Sequence, residues 1–187
     1  MNWKKQLPIW ATLGRIAVVP FIIVLMLAQP LYWNWITAIL FTLASITDWL
    51  DGYWARLYNA ESDLGRLLDP IADKIFIASL LLVIVGFGRL DGIWMIPAIL
   101  IFMREFLVSG LREFLAPQNV QLPVSKLAKW KTTVQLVAIA LLLAGPAGEI
   151  LIPGTTLAGL IALWLAALLT LYTGYDYFRA GMRHIIN

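Results

Sequence analysis

Six apolar stretches, each about 20 residues long, most constrain how this 187-residue chain can fold. A helix of about 20 apolar residues crosses the ~30 Å hydrocarbon layer of a membrane. The stretches run approximately over residues 7–28, 33–57, 67–85, 92–115, 124–144 and 156–178. Turn-forming residues separate them, and no connection is long enough to hold a further lobe. The sequence therefore predicts one all-α integral membrane domain over residues 1–187, with six transmembrane helices.

Composition supports a membrane protein and excludes several classes of site. Hydrophobic residues make up 61% of the chain and charged residues 13%, whereas soluble domains are about half apolar and about a quarter charged. The absence of Cys excludes disulfides, thiolate metal sites and Cys nucleophiles. The single His184 is a poor basis for a catalytic triad or a His-rich metal site. The net charge of +3 fits contact with anionic membrane lipids, and nucleic acid is not expected because no basic stripe lies outside the apolar stretches.

The basic residues are distributed asymmetrically about the predicted spans. Of the 14 Lys and Arg residues, only Arg89 falls in the turns near residues 30, 88 and 148. The other 13 lie at the termini, in the two remaining connections or within the spans close to them. Cytoplasmic loops carry the excess of Lys and Arg in membrane proteins. We therefore expect both termini, and the segments 58–66 and 116–123, on the cytoplasmic side.

Acidic residues are concentrated where the second and third spans approach the cytoplasmic side of the membrane. Asp48 and Asp51 are three residues apart near the end of one predicted helix, and Asp69 and Asp73 are four residues apart near the start of the next. Residues three or four apart lie on the same face of a helix. In an antiparallel helix pair the two faces can meet, so the pattern predicts four converging carboxylates.

Such a cluster needs cations, because an unpaired acid within a membrane costs about 3 kcal/mol or more. Carboxylate oxygens without His or Cys suit Mg²⁺, Mn²⁺ or Ca²⁺. Four Asp exceed what one ion needs when substrate phosphates also bind it, which favours two ions about 4 Å apart. Two other interpretations remain open: buried ion pairs with Arg56, Arg66 and Lys74, or a pathway for cations or protons in a transporter.

The pattern Asp48-x2-Asp51-Gly52-x2-Ala55-Arg56-x8-Gly65-x3-Asp69-x3-Asp73 resembles the complete signature of the CDP-alcohol phosphatidyltransferase family. The resemblance implies a six-helix fold, usually dimeric, with a cytoplasm-facing polar cavity and Mg²⁺ or Mn²⁺. It implies transfer of a phosphatidyl or similar group from a CDP-linked lipid to an alcohol. It assigns all four Asp as metal ligands and Asp73 also as general base. The positions that it implies for CDP binding are Gly52, Ala55, Arg56 and Gly65.

The first span carries part of a second family pattern. Pro8, Thr12 and Arg15 are similar to the family's Pro-Asn-x-x-Thr-x-x-Arg opening, and Thr12 is accordingly expected at the CDP site. Ile9 stands where the family usually has Asn. The polar contact of that Asn is therefore not expected in this chain.

Two basic segments indicate the acceptor alcohol. Arg104 and Arg112 lie on one helical face in the fourth span, and Lys129 and Lys131 begin the fifth. Such a basic pocket suits an acceptor that carries its own phosphate, although contact of the Lys residues with anionic head groups is an open alternative. The segments 104–113 and 126–135 resemble the bacterial branch of the family whose acceptor is sn-glycerol 3-phosphate.

The expected enzyme therefore uses CDP-diacylglycerol and sn-glycerol 3-phosphate, as a homodimer in the bacterial inner (cytoplasmic) membrane. Within the family, inositol phosphate or phosphatidylglycerol are alternative acceptors. A cation or proton transporter is the alternative from a different class, but a transport site is expected near the midplane and these acids crowd one side of the membrane.

Overall fold

The computed structural model describes residues 3–28, 31–57, 63–116 and 126–186, and side chains within 13–28, 31–47, 68, 70–116, 127 and 129–182. In these ranges the chain is helical and contains no strand, which confirms the all-α prediction. The elements are α1 (Trp3–Leu27), α2 (Leu31–Leu57), α3 (Asp63–Gly86), a 3-10 turn (Gly92–Trp94), α4 (Met95–Leu115), α5 (Lys126–Leu151) and α6 (Thr155–Ile186).

The protein is embedded in a membrane, as the length and surface of its helices indicate. Within the described residues, three segments are long and apolar enough to span a bilayer: Gly92–Leu115, Lys129–Leu151 and Thr155–Met182. Large apolar side chains such as Phe21, Leu82 and Leu165 are more than half exposed, whereas Thr37 and Thr170 are fully buried. Helices can expose apolar side chains to lipid because their backbone hydrogen bonds are satisfied internally.

Residues 1–89 and 140–156 form one compact unit. In this unit α1 packs against α2 and α3. Phe41 of α2 and Phe76 of α3 stack with their ring centroids 5.6 Å apart, and Ile22 of α1 is fully buried. The packing therefore joins the two helices that carry the acidic motif to the helix that carries Arg15.

The turn predicted at residues 145–148 is instead a kink within α5, which continues to Leu151. Gly145 takes a left-handed φ of 40°, and Pro146 starts the next helical segment. Arg89 Nη1 donates hydrogen bonds to the carbonyls of Leu142 at 2.6 Å and Leu143 at 2.5 Å. The guanidinium thus satisfies carbonyls that the kink leaves without helical partners, and burial lowers the pKa of Arg89.

Residues 152–154 form the turn between α5 and α6, and Glu149 contacts the backbone on its far side. Its carboxylate accepts hydrogen bonds from the backbone N–H groups of Gly154 at 2.7 Å and Thr156 at 2.9 Å. The first N–H groups of a helix have no partner within the helix. Glu149 therefore stabilises the start of α6.

Residues 90–139 and 157–187 form the second compact unit. Its core contains the fully buried Ile101, Ile139 and Leu163. A Cβ on Gly181 of α6 would lie 2.9 Å from a methyl carbon of Leu111, so α4 and α6 approach closely at this glycine. The basic residues of α4 and α5 belong to this unit.

Candidate active site

The acidic motif lies on helical backbone, as its spacing predicts. Asp48, Asp51, Gly52, Ala55 and Arg56 are in α2, and Gly65, Asp69 and Asp73 are in α3. Of these eight residues, Asp73 is the one whose side chain falls in the described part of the structure. The side chains of the other seven, and that of Thr12 in α1, lie outside it. The convergence of four carboxylates and the CDP site therefore remain predictions.

Asp73 is ion-paired with Arg15 of α1. The Arg15 side chain is 5% exposed and that of Asp73 is 56% exposed. A buried guanidinium is costly without a counter-charge, so the pair stabilises Arg15 while much of the carboxylate remains accessible. The sequence motif singled out both residues but did not indicate that they contact each other.

Lys74, which the ion-pair interpretation of the acidic motif included, donates a hydrogen bond to the carbonyl of Pro70 at 2.7 Å. Pro70 lies inside α3, between Asp69 and Asp73. Within the described residues, the Lys74 ammonium therefore contacts a backbone carbonyl one turn earlier in its own helix.

A second group of charges lies in the other unit, around Arg104 of α4. Arg104 Nε donates to the carbonyl of Thr170 at 3.1 Å, and Nη2 donates to Thr173 Oγ1 at 3.0 Å. Its stem lies over Gly174, where an added Cβ would be 3.0 Å from Arg104 Cγ. Helix α6 thus orients the first of the predicted phosphate-binding residues.

Arg112 is oriented by the same helix. Its Nη2 donates to the hydroxyl of Tyr177 at 3.1 Å, and its guanidinium carbon lies 4.9 Å from the centre of that ring. The guanidinium carbon of Arg104 lies 5.6 Å from the same ring. Tyr177 therefore contacts both Arg side chains predicted to bind the acceptor, through cation–π geometry.

Lys131 joins this group through Glu105. Its ammonium donates to Glu105 Oε1, and Arg104 Nη1 donates to the same oxygen at 3.3 Å. Lys129 differs from the other three predicted residues, because it has no contact with them among the described side chains. Lys129 is exposed, as is Arg112. The structure thus brings together Arg104, Arg112 and Lys131.

Glu105 and Tyr177 were missed as site residues by sequence reasoning. A usable signal was present for Glu105, since a buried Arg or Lys needs an acidic partner and Glu105 adjoins Arg104 in sequence. No such signal marked Tyr177 in the last span. In the same unit, Gln135 Oε1 and Thr170 Oγ1 are buried without a hydrogen-bond partner among the described residues.

Comparison with known proteins identifies the class to which these helices and motifs belong. The CDP-alcohol phosphatidyltransferase family matches residues 5–172. This match covers most of the chain, and the protein belongs to that family.

Similar proteins share nearly the whole length of the chain. A CDP-diacylglycerol–glycerol-3-phosphate 3-phosphatidyltransferase of Rickettsia prowazekii is 46% identical over 180 residues, which is 96% of this chain and 97% of the relative. Proteins with the same name are 38% identical in Bacillus subtilis, over 92% of this chain and 93% of the relative, and 33% identical in Haemophilus influenzae, over 98% and 97%.

Proposed function

We propose that this protein transfers the phosphatidyl group of CDP-diacylglycerol to sn-glycerol 3-phosphate, which yields phosphatidylglycerophosphate and CMP. The observation that carries this proposal is the near full-length similarity to relatives bearing that enzyme name, at 33 to 46% identity. The similarity includes the segments on which the acidic motif and the basic residues lie. It favours an enzyme over a transporter, and glycerol 3-phosphate over other acceptors.

The donor site in this proposal is the acidic motif. Asp48, Asp51, Asp69 and Asp73 hold two Mg²⁺ or Mn²⁺ ions, since their donor set consists of carboxylate oxygens without His or Cys. Such ions, when bound, neutralise the charge that develops on the phosphates and on the leaving CMP. The accessible carboxylate of Asp73 fits this donor set. The CDP group is bound by Thr12, Gly52, Ala55, Arg56 and Gly65.

Asp73 has a second role as general base. Its carboxylate accepts the proton of the attacking acceptor hydroxyl, which then attacks the β-phosphate of the donor. The bond from that phosphorus to the CMP oxygen breaks, and the phosphatidyl group is transferred. Arg15 orients the Asp73 carboxylate, because the guanidinium is buried and paired with it.

The phosphate of the acceptor is bound by the basic residues of the second unit. Arg104 and Arg112 offer guanidinium N–H groups suited to phosphate oxygens, and Lys131 adds an ammonium. These three are in contact through Glu105 and Tyr177. Lys129, which is exposed and makes no contact with these three among the described side chains, has a smaller role as a charge at the membrane surface.

The test is release of CMP from CDP-diacylglycerol by purified protein, with each candidate alcohol supplied in turn. We expect release with sn-glycerol 3-phosphate and formation of phosphatidylglycerophosphate. Inositol phosphate and phosphatidylglycerol serve as controls. Release with either of these but not with glycerol 3-phosphate would reassign the acceptor, and no release with any alcohol would reject the proposed function.

We further propose six spans, with both termini and the active site facing the cytoplasm, and a homodimer in the bacterial inner membrane. Arg89, the single basic residue of the far-side turns, supports this orientation because its charge is bound to the carbonyls of Leu142 and Leu143 rather than available to head groups.

Cysteine labelling tests the orientation, since the chain has no native Cys. Asp91 and Ile152 are exposed turn residues, and they are better sites than Gly88, which has a φ of +68°. In intact spheroplasts, an impermeant thiol reagent should label Asp91→Cys and Ile152→Cys but not Asn2→Cys. The reverse pattern would invert the topology.

A further inference from the structure

Glu105 lies among cations in the interior of the second unit. Its Oε1 accepts hydrogen bonds from both Arg104 and Lys131. The side chains of these two cations are 10% and 7% exposed, whereas that of Glu105 is 24% exposed. One partly accessible carboxylate therefore provides the counter-charge for two nearly buried cations.

The two cations depend on Glu105 to different degrees. Arg104 has further partners in Thr170 and Thr173 of α6. Within the described part of the chain, Lys131 makes a single polar contact, which is its hydrogen bond to Glu105. The direction of the Lys131 ammonium is thus determined by Glu105, which comes from a different helix.

Glu105 also determines the charge of this group. Arg104, Arg112 and Lys131 contribute three positive charges and Glu105 one negative charge, which leaves two positive charges. A phosphate monoester carries about −1.5 to −2 near pH 7, whereas a phosphodiester carries a single negative charge. With Glu105 present, the charge of the group matches that of a monoester dianion. Without it, the charge of the group rises to three, and two of the cations, Arg104 and Lys131, remain nearly buried.

We propose that Glu105 is a positioning residue that aims Lys131 and Arg104 at the phosphate of the acceptor and adjusts the charge of the pocket to a phosphate monoester. This inference rests on the proposed function, because it takes the basic residues of the second unit as the acceptor site. It assigns Glu105 no contact with the substrate. The acceptor class is accordingly a small alcohol that bears a terminal phosphate.

Glu105→Gln is the first variant, because it retains the shape of the side chain and removes its charge. We expect the KM for glycerol 3-phosphate to rise about tenfold, as for loss of a charge-assisted hydrogen bond. The KM for CDP-diacylglycerol should stay within twofold. Inorganic phosphate, used as a competitive inhibitor, should lose affinity by the same factor, because it reports the phosphate pocket without the glycerol.

A double-mutant cycle with Lys131→Met tests whether Glu105 acts through Lys131. The single variants leave the pocket with three positive charges or with one, and the double variant returns it to two. The KM of the double variant should therefore be no higher than that of Lys131→Met alone. Multiplied losses in the double variant would show that Glu105 acts independently of Lys131 and would overturn the proposal.

Glu113→Gln is the matched control, since Glu113 is an exposed acid on the same helix. The KM values of this variant for both substrates should be unchanged. If Glu105→Gln does not purify as a folded protein, Glu105→Asp retains the charge and should give a smaller increase in the same KM. An unchanged KM for glycerol 3-phosphate in a folded Glu105 variant, or an equal rise for both substrates, would overturn the inference. Wild-type protein that does not use glycerol 3-phosphate would instead reject the proposed function.

Discussion

The buried guanidinium of Arg15 in α1 is ion-paired with the carboxylate of Asp73 in α3, 58 residues later in the chain. This contact joins the opening motif of the first helix to the last acid of the signature. It is made within one compact unit, where α1 packs against α3. An exposed carboxylate held by a buried cation has a restricted orientation, which is what a general base requires.

Loss of the Arg15 side chain should therefore impair turnover more than substrate binding. We expect Arg15→Ala to lower kcat by about 10- to 100-fold, because a misoriented base costs about that much. Arg15→Lys should lose less, since it keeps a charge. Arg179→Ala, at an exposed position of α6, is the control. A wild-type kcat for Arg15→Ala would show that Arg15 has no role in the active site.

Asp73→Asn should separate binding from chemistry. The amide keeps the size of the side chain but cannot accept the proton, so kcat should fall by about 100-fold or more. Binding of CDP-diacylglycerol, measured by equilibrium dialysis in detergent, should stay within a few-fold. If turnover is within a few-fold of wild type, the base is another residue.

Metal dependence tests the role of the acidic motif. Activity should disappear with a chelator and return with Mg²⁺ or Mn²⁺, because hard oxygen ligands prefer these ions. Asp51→Asn should abolish turnover at any metal concentration, whereas Asp91→Asn, an exposed acid in a turn, should not change it. Full activity in the presence of a strong chelator would contradict the metal role.

Gly174→Ala should perturb the acceptor site through Arg104. The added methyl would lie 3.0 Å from Arg104 Cγ and 3.2 Å from its Nε, so the side chain must move. The hydrogen bonds of Arg104 to Thr170 and Thr173 would weaken, and the KM for glycerol 3-phosphate should rise about 3- to 10-fold. Gly110→Ala is the matched control, because a Cβ there has open space. Equal kinetics for the two variants would show that Arg104 is not needed in its observed position.

Gly145→Ala should destabilise the fold. Gly145 has a φ of +40°, and an added Cβ would lie 2.7 Å from Arg89 Nη1. Strain at such a position costs about 1 to 3 kcal/mol, and displacement of Arg89 would also expose the carbonyls of Leu142 and Leu143. The unfolding temperature in detergent should fall by several degrees. Gly86→Ala, where a Cβ meets nothing within 4 Å, should leave it nearly unchanged.

The sequence alone determined the helices and predicts the type of site. Long apolar runs must become helices in lipid, because every backbone polar group there needs an internal partner. The spacing of Asp48, Asp51, Asp69 and Asp73 predicts a site for hard metal ions, and these residues lie on helical backbone as that prediction requires. Both inferences depend on local patterns of a few residues, which the helical repeat converts directly into geometry.

Tertiary structure decided which charged groups contact one another and where α5 bends. Lys131 and Glu105 are 26 residues apart, and Arg112 and Tyr177 are 65 apart. No periodicity relates such positions, because their contact depends on how separate helices pack. Gly145 and Pro146 marked an interruption in the sequence, but Arg89, which supports the kink, lies more than 50 residues earlier. A buried charge requires a partner by physical necessity, and the packing of the helices determines which residue supplies it.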